Sequence, residues 1–106
     1  MTYVHLATTV TPPVGRLTLN RPERRNALGL AVLQEITAAL EALSATPGVQ
    51  AIVIDAAGPA FSAGHDIAEM RGREPAFYQE LFAQCTVMMQ TIHRVPQPVI
   101  AQVGGA

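Results

Sequence analysis

The sequence predicts an α/β fold, and three observations carry that reading. Ala51, Ile52, Val53 and Ile54 form a short run that is apolar on both sides, and helical periodicity lies before and after it. Proline or glycine marks most of the junctions. Buried strands alternating with amphipathic helices form strand–helix–strand crossovers, here in the order β-β-α-β-α-β.

Each element follows from its local pattern. Residues Tyr3 to Val10 and Val14 to Asn20 are rich in β-formers and flank Thr11, Pro12 and Pro13, which suit the turn of a hairpin. From Leu30 onward, Leu33, Ile36, Leu40 and Leu43 recur at helical spacing, until Pro47 and Gly48 stop the helix. Val49 to Asp55 then reads as a strand covered on both faces, between layers. After a turn at Gly64, Asp66 stands where it can cap a short helix. Pro75 suits the first turn of a second long helix, whose apolar face carries Phe77, Leu81, Cys85, Met88, Met89 and Ile92. Pro96 and Pro98 follow it, and Val99, Ile100, Ala101 and Val103 form a last buried strand. Neither repeats nor linkers interrupt this order.

Composition narrows the function classes. Apolar residues make up 49% of the 106 residues while charged ones reach only 14%, against an average of about 25%. A chain this short buries little more than roughly 60% of its unfolded surface, so the apolar excess predicts cover from further chain, from self-association, or from both. The chain also stops on Gly105 and Ala106 directly after an apolar strand, which again predicts further chain. A net charge of −1 with dispersed arginines gives no basic stripe for nucleic acid. Cys85 is the one cysteine, expected as a core thiol in a reducing compartment. No segment approaches the roughly 18 apolar residues of a membrane span, and the expected location is cytoplasmic. His5 and His93 lack a ligand constellation, Glu35 and Glu41 are expected on the solvent face of the first helix, and no metal site is expected.

The stretch from Pro59 to Met70, PAFSAGHDIAEM, is the candidate site. A buried strand leads into a Gly-containing turn that can present backbone N–H groups to a ligand oxygen. Read alone, Gly64 only permits a tight bend and Asp66 only caps a helix. Its position after the Ile52 to Ile54 strand, and the company of Arg25, Asn26, Ala27 and Leu28 upstream, favour ligand binding.

Leu17 to Pro22, Arg25 to Leu28, Ala60 to Met70 and Pro98 to Gly105, in that order and spacing, resemble the crotonase family of enoyl-CoA hydratases and isomerases. The resemblance implies a crotonase-like spiral of β-β-α units, incomplete in this chain, with residues 1–106 the N-terminal portion of a single acyl-CoA-binding domain. It also implies an acyl-CoA thioester as partner, coenzyme A as substrate carrier with no prosthetic group, and a homo-oligomer of trimers or paired trimers. By similarity, the His65 backbone N–H is one of two donors that stabilise the thioester enolate, and it is the one catalytic group assigned. Arg25, Ala27, Ala63, Gly64, His65, Asp66 and Ile67 form the coenzyme A groove, with Arg25 near a phosphate; otherwise Arg24 and Arg25 form a solvated loop. No general base is identified, and Glu69, Glu74 and Glu80 are expected in or near mobile surroundings. The alternative is a non-catalytic acyl-CoA-binding or oligomer-interaction fragment.

Overall fold

The computed structural model describes residues 3–58, 61–62 and 64–103, with the main chain alone at Ile67. Ala60, Ala63, Gly104 and Gly105, which the family resemblance uses, lie outside the described residues, as does Pro59 of the candidate stretch. Strands β1 (Leu6–Thr11) and β2 (Val14–Leu19) form the expected antiparallel hairpin, with Leu6 opposite Leu19 and Thr11 opposite Val14. β1 starts at Leu6 rather than Tyr3. A single 3-10 turn at Pro22–Arg24, not anticipated from the sequence, follows β2. Helix α1 (Leu30–Ser44) then crosses to β3 (Ala51–Ala56), parallel to β2. The short α2 (Ile67–Met70) and the long α3 (Pro75–Arg94) lead to β4 (Val99–Ala101), parallel to β3. The sheet order is β1-β2-β3-β4.

Alternation in β2 sets the layering. Gly15, Leu17 and Leu19 are buried while Val14, Arg16 and Thr18 are only half-buried, as expected of a strand with one face on a core. Val32, Leu33, Ile36, Ala39, Leu40 and Leu43 of α1 cover that face. A Cβ on Gly15 would sit 3.1 Å from Val49 Cγ1 and 3.2 Å from Leu43 Cδ2, so the lack of a side chain lets helix and sheet close together. Helix α3 lies along α1 and adds Leu81, Met88 and Thr91 to the buried set. Cys85 packs half-buried against the core.

Three expectations change. β3 is not covered on both faces among the described residues, because α1 covers one face and α3 lies along α1. On the far face Arg16 Nη1 donates to Asp55 Oδ2 at 2.6 Å and to Gln102 Oε1 at 3.0 Å. The core stripe of α3 includes Met88 but not Met89, which is 46% exposed, since one residue is about 100° of helix rotation. The last strand ends at Ala101 and is not buried among the described residues: Ile100 is 51% and Val103 63% exposed, and Ala101 is exposed too.

Glu35 also departs from its expected solvent position. Its Oε1 accepts Val4 N–H at 2.8 Å and His5 N–H at 3.0 Å, so it anchors the entry to β1 on α1. Glu41 does face solvent, 3.2 Å from Arg94. These environments separate two substitutions: Leu33→Ala should cost about 2–5 kcal/mol, whereas Glu41→Ala should cost less than about 1 kcal/mol. Urea unfolding of the complete polypeptide measures both, and equal costs would contradict this core assignment.

Candidate functional site

The connections leaving β2 and β3 meet above the sheet, and Asn26 joins them. Arg25 and Asn26 are both left-handed, with φ 52° and 53°, a conformation that asparagine tolerates better than most residues. Arg25 N–H donates to Pro22 O at 3.0 Å and Asn26 N–H to Arg21 O at 2.8 Å, which closes the loop. The Asn26 side chain, only 2% exposed, accepts Arg21 N–H through Oδ1 at 2.7 Å and donates from Nδ2 to Ala57 O at 2.9 Å. One buried amide thus links the exits of two neighbouring strands.

Two residues further on, the same segment grips the candidate turn. Leu28 N–H donates to Gly64 O at 2.7 Å, and Asp66 N–H donates to Leu28 O at 3.2 Å, which makes Leu28 and His65 partners in a parallel bridge. In that pattern the main-chain N–H and C=O of the bridged residue point away from its partner. His65 N–H has no hydrogen-bond partner among the described residues. Gly64 has φ +86°, and nothing lies within 4 Å of a Cβ placed there, so conformation rather than space favours glycine. Ser62 Oγ donates to Asn26 O at 2.9 Å and accepts Gly64 N–H at 3.1 Å.

Asp66 faces inward. The residue is 5% exposed; its carboxylate accepts Arg24 Nη2 on both oxygens at 2.8 and 2.9 Å, and caps α2 by accepting Glu69 N–H at 3.3 Å. The expected cap is present, and the carboxylate is committed to it. Arg24 is committed with it, whereas Arg25 is exposed and its guanidinium has no partner among the described residues. Ala27 is buried beside the loop, and Ile67 opens α2. Ala63 lies outside the described residues. The His65 imidazole meets the Phe82 ring edge-on at 5.9 Å, and its buried Nδ1 has no partner among the described residues.

Glu69 is held in place, unlike the mobile setting expected for it. Its Oε1 accepts Leu30 N–H, the first of α1, at 2.8 Å. Sequence reasoning missed this carboxylate, Ser62 and the double role of Asn26. One signal was available: α1 starts after Gly29, which has no side chain to cap it, so an acceptor must come from elsewhere.

An apolar crevice of about 380 Å³ opens next to the turn, between α3 and the sheet. Leu19, Leu28, Ile54, Ser62, Met88 and Ile92 contribute to its lining. Leu28 and Ser62 therefore belong both to the bracing of the turn and to the wall of the crevice.

The family model for enoyl-CoA hydratase/isomerase matches residues 10–106. The chain belongs to this family. It is similar to the rat enoyl-CoA hydratase domain-containing protein 3, mitochondrial, at 36% identity over 93 residues, which are 87% of this chain and 31% of that protein. A probable enoyl-CoA hydratase of Rhizobium meliloti is 37% identical over 105 residues, covering 99% of this chain and 40% of the relative. The solved enoyl-CoA hydratase of Mycobacterium smegmatis superposes with a TM-score of 0.87 at 43% identity, over 94% of this chain and 40% of the other. The chain thus spans well under half the length of these family members. Its α/β architecture is part of the crotonase fold. No helix among the described residues is long and apolar enough to cross a membrane.

Asn26→Ala would leave Ala57 O and Arg21 N–H without their side-chain partner and place alanine in a left-handed conformation. A cost of about 2–4 kcal/mol is expected from the two lost bonds and the backbone penalty together. Denaturant unfolding of the complete polypeptide checks it, and a cost below 1 kcal/mol, on the order of an ordinary surface change, would deny Asn26 its linking role.

Proposed function

We propose that this chain supplies one wall of an acyl-CoA thioester site of the enoyl-CoA hydratase or isomerase kind, with the His65 N–H as an oxyanion donor. The observation that carries the reading is this N–H, free among the described residues and directed away from the Leu28 bridge that fixes its peptide. Addition to an enoyl thioester, or proton removal beside its carbonyl, places negative charge on the carbonyl oxygen. A fixed donor aimed at that oxygen stabilises the transition state more than the ground state.

Coenzyme A enters as the carrier of the substrate, and no prosthetic group takes part. Arg25, an exposed guanidinium without a partner among the described residues, would meet a phosphate, for which its planar fork is suited. Ala27 and the Ala63 to Ile67 segment would line the groove, and the apolar crevice would accept the acyl part. In this reading residues 1–106 are the N-terminal portion of one acyl-CoA-binding domain, within a trimer or paired trimers. The half-buried Cys85 thiol fits a reducing compartment, here the cytoplasm.

A second reading rests on the carboxylates. Asp66 and Glu69, both beside the turn, are engaged in helix caps, so neither is poised to move a proton. Residues 1–106 by themselves would then bind acyl-CoA or mediate assembly without turning it over. The acid–base groups and the second oxyanion donor would come from elsewhere in the full protein.

In the complete polypeptide, His65→Pro removes the donor and should lower kcat by about 100- to 1000-fold, measured by 2-enoyl-CoA turnover with a thermal melt to confirm folding. Unchanged turnover would sink the donor assignment. Arg25→Ala should weaken binding of a CoA ester more than that of the matching pantetheine ester in calorimetric titrations. Equal weakening would remove Arg25 from phosphate binding.

A further inference from the structure

Helix α1 begins without a capping side chain of its own. Gly29 is the N-cap and makes no side-chain bond, and the first turn contains no acidic residue. The cap arrives from α2, where Glu69 Oε1 accepts Leu30 N–H at 2.8 Å. A carboxylate at this end also complements the partial positive charge of the helix N-terminus.

The main chain of Glu69 is held as well. Its N–H donates to Asp66 Oδ1 at 3.3 Å, and its carbonyl accepts Arg73 Nε at 2.9 Å. Gly29 has φ −87° and ψ 175°, extended backbone open to any residue, yet a Cβ placed there would collide with Glu69 Oε2. Glycine at this position therefore makes room for the carboxylate. Leu30 N–H to Glu69 adds a third rung to the two that Leu28 forms with Gly64 and Asp66. His65 lies within this ladder.

We infer that Glu69 is a positioning residue for the His65 N–H, acting through the α1–α2 clamp, and that Gly29 is the space it requires. This rests on the oxyanion-donor reading of His65. Glu69 does not touch the thioester; it sets the tilt of the peptide that does. A displacement on the order of 1 Å at such a donor lowers turnover about 100-fold.

The test uses the complete polypeptide with butanoyl-CoA isotopically labelled at the thioester carbonyl, an unreactive probe whose carbonyl stretch falls when donors polarise it. The wild type should show a lower stretch than the free probe. Glu69→Ala should return it toward the free value with little change in Kd, and should lower 2-enoyl-CoA kcat about 10- to 100-fold. Glu69→Gln keeps an oxygen acceptor and should restore most of both. Gly29→Ala should reproduce the loss by displacing the carboxylate, with no further effect in the Glu69→Ala background. A wild type that binds without polarisation overturns the donor reading of His65, and this inference with it. A polarised wild type and an equally polarised Glu69→Ala overturn the positioning role alone. If Glu69→Ala does not fold, Gly29→Ala decides: polarisation equal to wild type overturns the inference, and its loss supports it.

Discussion

The site depends on one parallel bridge between residues 37 apart in sequence. Leu28 uses its N–H and its C=O on Gly64 and Asp66, and so fixes the peptide planes on both sides of His65. Neither segment belongs to the sheet, yet each takes its orientation from a sheet strand, one leaving β2 and the other β3. The strands are parallel neighbours, with Leu19 opposite Ala56 at the end of the register. Their exits therefore lie side by side, and a short loop from each suffices to bring Leu28 against the turn. Crevices outside the carboxyl ends of parallel strands are common sites for ligands for this geometric reason.

Charge holds what the bridge places. Asp66 is almost fully buried, and a carboxylate out of water needs both an opposite charge and hydrogen-bond donors. Arg24 supplies the first through two bonds, and Glu69 N–H adds another donor. Helix α2 has only four residues, far too few to persist by its own hydrogen bonds. Its order comes from the Asp66 and Glu69 carboxylates, which bind the 3-10 turn region and the start of α1. The turn is thus clamped from the β2 side twice, once by backbone and once by side chains.

Much of the scaffold was legible in the sequence because periodicity reports burial directly. Leu33, Ile36, Leu40 and Leu43 mark one face of α1, and all four are buried. The run at Ile52 to Ile54 marks a strand but not how many layers cover it, since the apolar pattern is identical for one partner layer or two. Met89 shows a similar limit: its neighbour Met88 is buried, and apolar character alone does not say where the stripe ends. At the site, Gly64 and Asp66 were legible through turn and cap chemistry. The Glu69 cap was hidden because it joins residues 39 apart and involves a main-chain N–H that any residue at position 30 would offer. Asn26 was visible as a letter in a pattern, while its two strand-linking bonds required the fold.

The same asymmetry governs what residue 65 says about the reaction. A main-chain N–H is supplied by every amino acid except proline, so the side chain at this position would not be the source of the proposed donor. The side chains that bear on that peptide are those that hold its surroundings: Ser62 at Gly64 N–H, Asn26 through its Nδ2 on Ala57 O, Asp66 against Arg24, and Glu69 on Leu30 N–H. The His65 imidazole, edge-on to Phe82, contributes packing, and its buried Nδ1 has no partner among the described residues. The crevice beside the turn offers little to a proton, because its lining is almost wholly aliphatic and aromatic apart from Ser62, whose hydroxyl is engaged by the loop. On the proposed reading, an apolar wall and a single donor would polarise any thioester alike, whether water were to be added or a double bond moved. On that reading the choice between those outcomes would fall to polar groups other than those of this wall.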